Sequence, residues 1–435
     1  MSHSKPRNLS ATLATATCAL LGSHAAQPVQ AEELQTWTFD TALLYYGEDN
    51  DRVQDASVNL LATRRFVDDR SLTLGLTVDA LTGATPSGAV RQAFAQTFTR
   101  PSGNDIYTVP ANEIPLDDTF RDTRVAATAG WTQPLGRLNT ISVGFSASNE
   151  YDYTHFGLNA KVARDFNQRN TTLSAGLAIA RDDIDPVGGT PVALSLMSDV
   201  GDLANRGGAE SKNVLDVVVG LTQVVSRNAI VQLNYSYSDA SGYLTDPYKI
   251  LSVVDPVTGL AVPRTPTPGI DGPSHEFRFE SRPDSRAKHS LYGQWKQDLG
   301  GKVLDVSYRY MTDDWEIDSH TFDTRLRWPM GKSAYLEPHV RYYMQTEADF
   351  YLASLADTAA LPAFASSDYR LGRFDAITAG IKVGWRTAGG NDVGVRLEVY
   401  QQRGDVPANL LTGSQTAADV FPDLYAVIAQ VSYRF

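Results

Sequence analysis

The chain ends in Leu424-Tyr-Ala-Val-Ile-Ala-Gln-Val-Ser-Tyr-Arg-Phe435. Counting back from the end, Phe435, Tyr433, Val431, Ala429, Val427 and Tyr425 fall on one face. Arg434, Ser432 and Gln430 fall on the other, with Ile428 the exception. A period of two is that of a β-strand with one apolar side. The aromatic residues sit at its two ends and the aliphatic ones lie between, the order of a strand that faces lipid between two aromatic girdles. An edge strand of a soluble sandwich alternates in the same way, so the rest of the chain decides between them.

At 435 residues the chain suits one large barrel or two to three soluble domains. Only 42% of it is hydrophobic, and no stretch approaches the ~18 continuous apolar residues of a membrane helix. A barrel passes this test because each strand hides its apolar residues by alternation. The 20 Tyr, 16 Phe and 6 Trp suit interfacial girdles. Residues 1–31 have the layout of a secretory leader: Lys5 and Arg7, an apolar stretch from Leu9 to Leu21, then Val29-Gln30-Ala31 before Glu32, with a second candidate cut after Ala25. Cys18, the single cysteine, would leave with that leader, so no disulfide, thiol chemistry or thiolate metal site is expected. Without Lys5 and Arg7 the formal charge moves from −12 to −14, with 36 basic and 50 acidic side chains. So acidic a chain is a poor partner for nucleic acid.

Alternation predicts about sixteen strands. Ser71 to Ala80 is the clearest, with Leu72, Leu74, Leu76, Val78 and Ala80 set against Ser71, Thr73, Gly75, Thr77 and Asp79. Connections alternate too. One set is short (67–70, 133–137, 166–170, 226–228, 299–301, 329–333 and 387–391); the other contains the long segments 81–121, 182–212, 240–285, 346–373 and 403–423. Short turns at one end and long loops at the other describe a transmembrane antiparallel up-and-down β-barrel, with the turns periplasmic and the loops extracellular. Residues 275–285 also look strand-like, and keeping the alternation requires them to be an outer extension of the strand that starts near Arg286. With no Pro/Gly/Ser linker in view, residues 32–435 are expected to form one barrel domain.

Four stretches, Val78-Asp-Ala-Leu-Thr-Gly-Ala-Thr-Pro-Ser-Gly88, Pro115-Leu-Asp-Asp-Thr-Phe-Arg-Asp-Thr-Arg124, Gly242-Tyr-Leu-Thr-Asp-Pro-Tyr248 and Arg282-Pro-Asp-Ser-Arg286, resemble a domain-of-unknown-function family of Gram-negative outer-membrane barrels. The resemblance covers nearly the whole chain beyond the leader. It implies the fold and a place in the outer membrane of a Gram-negative bacterium, and it transfers no catalytic or binding residue. The terminal Phe435 also resembles the end signal of such barrels, which implies the barrel-assembly machinery as a partner, beside outer-membrane lipid and lipopolysaccharide.

Two loop motifs are candidates. Asp79 with Gly83, Pro86 and Gly88 suits a tight turn that offers backbone N–H groups to an anion, or a plain rim turn; no Walker lysine accompanies it. Arg282, Asp284 and Arg286 share a face if extended, which suits a clamp, a site for lipopolysaccharide phosphates, or an ion-pair cluster that holds loop 240–285 against a neighbour. The expected lumen divides in two. One wall carries Asp305, Arg309, Asp323, Arg325, Arg327, Glu337, His339, Arg341, Lys382, Arg386, Arg396 and Glu398; the other is small and smooth, with Thr73, Gly75, Gly144, Ser146, Ser174 and Gly176. Loop 81–121 contains Val90, Ala93, Phe94, Thr97 and Phe98 at near-helical spacing, which predicts a short segment laying Phe94 and Phe98 on that smooth wall.

Linear enzyme motifs are missing. No Gly-x-Ser-x-Gly elbow occurs, His155, His275, His289, His320 and His339 lack metal-ligand spacing, and His289 and Ser290 point to opposite faces. Acidic pairs such as Asp117-Asp118, Asp182-Asp183 and Asp313-Asp314 match no calcium loop and suit solvated loops. No catalytic residue, metal or cofactor is therefore expected. The leading function is an outer-membrane pore or transporter for a small solute, an anion among the candidates. The alternative is a barrel scaffold or sheath for a periplasmic or surface partner in electron transfer or secretion.

Overall fold

The computed structural model describes residues 37–435 except 51, 266, 418, 419 and 422, and of residues 118–120 and 417 the backbone only. The expected leader, 1–31, lies outside the described residues. Sixteen strands form one closed barrel. They are β1 (Trp37–Glu48), β2 (Gln54–Arg65), β3 (Ser71–Pro86), β4 (Leu116–Leu135), β5 (Asn139–Asn149), β6 (Tyr153–Phe166), β7 (Thr171–Ile184) and β8 (Glu210–Ser226). Then come β9 (Ala229–Gly242), β10 (Ser285–Asp298), β11 (Val303–Asp313), β12 (Asp318–Met330), β13 (Ala334–Gln345), β14 (Arg373–Arg386), β15 (Asp392–Asp405) and β16 (Leu424–Arg434). Each pairs antiparallel with the next, and β16 closes on β1 in the register Asp40↔Arg434 to Glu48↔Ala426. Closure leaves no open edge, so the wall's backbone N–H and C=O groups pair within it.

Alternation decides which face is which. Leu74, Leu76 and Val78 are exposed on the outside while Thr73, Gly75, Thr77 and Asp79 turn inward. Exposed Leu43, Val143, Leu177, Val219, Leu233, Leu291, Val340 and Val431 continue the outer apolar band around the wall. Trp295, Trp328, Trp385 and Phe435 stand outward near the short-turn end, and Tyr45, Phe156, Tyr342 and Tyr425 near the other. The seam shows the construction. Phe39 and Phe435 exchange backbone hydrogen bonds at 2.8 and 3.0 Å, their rings stack at 5.2 Å, and Arg434 pairs with Asp40 at 2.5 Å.

The long loops do not hang free. They fold onto one another as a cap. Loop 243–284, between β9 and β10, binds loop 87–115 through Ile250 N–H to Ser87 O and loop 406–423 through Ser414 N–H to Thr258 O. Those partners leave the wall six strands away on either side, so loop 243–284 spans the mouth. Phe277–Phe279, Ile250–Val254 and Leu355–Ala356 form a small sheet in the cap, and Gln96–Thr99 pairs with Ile106–Val109. Fully buried Phe98, Leu251 and Ala365 and nearly buried Phe277, Ile250 and Phe279 give the cap its own core. A second cluster, around Trp315, Phe350, Tyr351, Leu371 and Phe421, fixes it to the β11–β12 turn.

Three expectations are corrected. Residues 275–282 do not extend β10: Phe277 and Phe279 point into the cap core, and the barrel strand begins only at Ser285, after Pro283. The segment around Phe94 and Phe98 is not helical and does not lie on the smooth wall. Phe98 stacks on Tyr107 at 5.1 Å and packs tilted against Phe277 at 4.4 Å, and Phe94 stacks on His275 at 4.8 Å. Its spacing matched a helix, but the apolar residues served a hairpin in a loop core. Third, loop 81–121 is shorter, 87–115, because β3 and β4 run outward past a bulge at Gly83. Gly83 has φ +128°, and a Cβ there would lie 1.9 Å from Arg52 O, so both conformation and space demand glycine.

Candidate functional site

Inward positions of β11 to β15 build one continuous polar wall from neighbouring rows. In register, Asp305↔Arg325↔His339↔Gly380↔Glu398 form one row and Glu337↔Lys382↔Arg396 the next. His339 lies at the centre, its Nε2 2.9 Å from Asp323 Oδ2 and its Nδ1 2.8 Å from Glu398 Oε1. Gly380 makes that second contact possible: a Cβ there would lie 2.4 Å from Glu398 Cγ. Arg325 pairs with Asp323 at 3.4 Å and Arg396 with Glu398 at 3.8 Å, so a five-membered ionic lattice joins three strands. Asp305 takes Lys296 at 3.3 Å and the Gln294 amide at 2.8 Å. Arg309 lies over the Tyr292 ring and Arg327 over the Tyr335 ring, at 5.5 and 3.7 Å.

The rest of the wall is less neutralised. Among the described residues Arg327, Arg341 and Lys382 have no ion-pair partner, and Glu337 has none on the acidic side. Arg309, Asp323, Arg325, Arg327, Glu337, Arg341, Lys382, Arg396 and Glu398 share this wall, part lattice and part cations without an ion pair among the described residues. Towards the cap, three inward phenols each donate to a residue two further along the strand: Tyr46 to Glu48, Tyr343 to Gln345 and Tyr400 to Gln402. Gln345 in turn donates to Arg370 O at 3.0 Å and Gly372 O at 2.8 Å, which fastens the cap to the wall.

Between wall and cap lies a buried charge cluster. Arg282 reaches Glu280 at 2.6 Å and Asp368 at 2.8 Å, and Arg370 binds both Asp368 and Asp246. Lys249 is 2% exposed and donates to Pro86 O. Burial pushes the Asp368 carboxyl up, but Arg370 first, then Lys249 and Arg282, outweigh it and hold it well below its ordinary value. Burial pushes Glu280 up, partly offset by Arg282, and pulls Lys249 down.

The two loop motifs resolve differently from their linear appearance. Arg282 and Arg286 do not clamp Asp284, which is exposed; Arg282 turns to Glu280 and Asp368, and Arg286 to Asp313 at 2.5 Å. Asp79 faces the lumen and pairs with Arg124 at 2.5 Å, well inside β3 rather than at a rim turn. The turn at Gly88 offers few amides to an anion: Ser87 N–H goes to Pro115 O, Ala89 N–H to Ser87 Oγ and Val90 N–H to Ser252 Oγ. Pro86 spends its carbonyl on Lys249.

Asp117, Asp182 and Asp313 are buried rather than solvated, because they face inward at the outer ends of strands and pair with Arg100, His155 and Arg286. Asp122, Glu150 and Asp152, which no linear spacing linked, are buried with carboxylate oxygens within 4.8 Å of one another. Burial first, then Asp122, raises Glu150, and the two share a carboxyl–carboxylate hydrogen bond. Tyr248 from the cap donates to Asp152.

Comparison with solved structures finds low-identity likenesses. The siderophore receptor PirA from Acinetobacter baumannii is 8% identical with a TM-score of 0.40, over 87% of this chain and 54% of the receptor. A structure described as "Bacterial polysaccharide outer membrane secretin" is 10% identical with a TM-score of 0.42, over 92% of this chain and 99% of the other. CdiB from Acinetobacter baumannii is 8% identical with a TM-score of 0.42, over 94% and 61%. The chain spans about half the length of the siderophore receptors it matches. No curated protein matches it. The model of the family described as "Protein of unknown function (DUF3570)" matches residues 10–435, and the chain belongs to that family.

Proposed function

We propose that the protein is an outer-membrane channel for a small anionic solute, closed at its outer mouth by the folded cap. Membrane placement rests on the outer face of the barrel. Its exposed Leu and Val side chains form a continuous band between aromatic residues, a surface costly in water and at home in lipid. Outer-membrane lipid and lipopolysaccharide are then its surroundings in a Gram-negative cell, and the strand ending in Phe435 is the segment offered to the barrel-assembly machinery. A barrel of sixteen strands is wide enough for water inside.

The single observation that carries the solute class is the β11–β15 wall, where, among the described residues, Arg327, Arg341 and Lys382 stand without ion-pair partners against one such acid, Glu337. Charged side chains lining a pore set its selectivity. The test is the reversal potential across a planar bilayer in a KCl gradient, measured on protein whose cap is opened by deleting residues 89–113. The expected sign is that of chloride preference; cation preference or no preference contradicts the reading.

A further inference from the structure

On the opposite wall, three inward side chains from three adjacent strands make a chain of hydrogen bonds that no linear motif announces. His155 Nδ1 lies 2.6 Å from Asp182 Oδ1, and His155 Nε2 lies 3.0 Å from Ser146 Oγ. Asp182, on β7, is the register partner of His155 on β6. Ser146, on β5, is not: its partner is Gly157, and His155 reaches it diagonally. We propose that Ser146, His155 and Asp182 are a lumen-facing acyl-transfer site, with Ser146 Oγ the nucleophile and a short-chain carboxylic ester the substrate class.

The protonation pattern follows from the partners. Asp182 accepts from the Tyr153 hydroxyl on Oδ2 at 2.5 Å and has Lys212 Nζ at 3.4 Å. An ionised carboxylate only accepts, so Nδ1 carries the imidazole proton and donates to Oδ1. Nε2 is then an acceptor, and the Ser146 hydroxyl donates to it, the arrangement a general base needs. Burial is graded in the same sense. Asp182 and His155 are 3% and 6% exposed, whereas Ser146 is partly open to the lumen.

Gly157 is the second, independent observation. Its backbone is ordinary strand, so its conformation does not call for glycine. A Cβ there would lie 2.5 Å from Ser146 Oγ and 3.1 Å from His155 Nε2, directly in the Ser–His contact. The missing side chain leaves the hydroxyl both bonded to His155 and reachable from the lumen. Ala180, the register partner of Gly157 on β7, is also small, so this part of the wall suits a short acyl group. Asn159, two residues beyond Gly157 on the same face, sets its side-chain amide over Gly144, two residues before Ser146 on β5, and is the donor assigned to the developing oxyanion.

The chemistry balances with water as the co-reactant. Ser146 Oγ attacks the ester carbonyl carbon while its proton passes to His155 Nε2. The tetrahedral intermediate expels the alkoxide, which takes that proton and leaves as the alcohol, with the acyl group on Ser146. Water then gives a proton to His155 and its oxygen to the acyl carbon; the carboxylic acid departs as Ser146 Oγ recovers the proton. Asp182 is a positioning residue throughout.

The test uses the full chain in detergent, checked for folding by heat-modifiable gel mobility, with diisopropyl fluorophosphate as the serine-directed probe and p-nitrophenyl acetate as the ester. The expected result is one diisopropylphosphoryl adduct mapped to Ser146, formed with loss of fluoride and absent in Ser146→Ala. In Asp182→Asn, labelling should slow by roughly 10²–10⁴-fold and its pH profile should change. Gly157→Ala should slow it through the blocked contact. Folded wild type that remains unlabelled at Ser146 overturns the proposal, as does Asp182→Asn with an unchanged rate and pH profile, which would leave the three residues a structural bracket. None of these outcomes depends on channel activity, so this site stands or falls apart from the conduit reading.

Discussion

Arg282 reaches Asp368 at 2.8 Å across 86 residues of sequence, and the pair ties loop 243–284 to loop 346–372 above the barrel. Arg282 is simultaneously held by Glu280, and Asp368 by Arg370, so neither member can leave without stranding another buried charge. Breaking such a pair by removing one partner typically costs ~3–5 kcal/mol. Arg282→Ala should therefore loosen the cap and leave the barrel assembled. The measurement is limited proteolysis with heat-modifiable mobility as the control. Cleavage within 243–284 should accelerate while mobility is unchanged; equal resistance would mean that the apolar core of the cap suffices alone.

Acid should act on the same joint. Asp368 is depressed in the fold, so its contribution is present above the unfolded carboxylate value, ~3.9, and is lost as pH falls below it. Glu280 is raised and acts in the opposite sense, so the cap's acid response is their difference. Hydrogen exchange at Ile250 and Ser281, whose amides bond to Ser87 O and Ala365 O, should show no loss of protection from pH 7 to 5 and a decline below about pH 4. In Asp368→Asn protection should already be low at pH 7. A wild-type decline centred near neutrality would point to another group.

The face assignment predicts an asymmetry between neighbours in sequence. Val427 and Leu74 are exposed on the outer band, and Arg at a membrane midplane costs ~2–4 kcal/mol. Val427→Arg and Leu74→Arg should impair assembly, whereas the inward Ser432→Arg and Thr73→Arg should be tolerated. Heat-modifiable mobility of the four variants is the readout, and equal tolerance would count against a membrane barrel.

The strands were legible because each obeys one rule, apolar outward and polar inward, that a reader of sequence can apply locally. Ser71 to Ala80 and the final strand need no distant partner to be recognised. The lumen wall was legible for the same reason, since Asp323, Arg325 and Arg327 inherit their face from Phe322 and Trp328. The cap was not. Phe98 and Phe277 are read as a helix face and a strand extension until loops from distant strands bring them together. Nor was the Ser146–His155–Asp182 chain, which links three strands diagonally. Gly157 was its only linear trace, a glycine in mid-strand where a bulge or a close approach is the usual reason.

Selectivity should reside in the unpaired cations rather than in the lattice. Arg325 is neutralised by Asp323, whereas Arg327, Arg341 and Lys382 lack an ion pair among the described residues. In the cap-deleted background, Arg327→Gln with Arg341→Gln and Lys382→Gln should abolish anion preference in the KCl-gradient reversal potential, while Arg325→Gln alone should change it little. The opposite ranking would place the selective element in the Asp323–His339–Glu398 lattice.

Single-channel conductance in a planar bilayer tests the capped conduit most directly, comparing the intact chain with the variant lacking residues 89–113, which include Phe98 of the cap core. The account predicts little or no conductance for the intact protein and stable open-channel steps for the deletion, both with heat-modifiable barrels. Equal conductance in the two, or none in the assembled deletion variant, would contradict it.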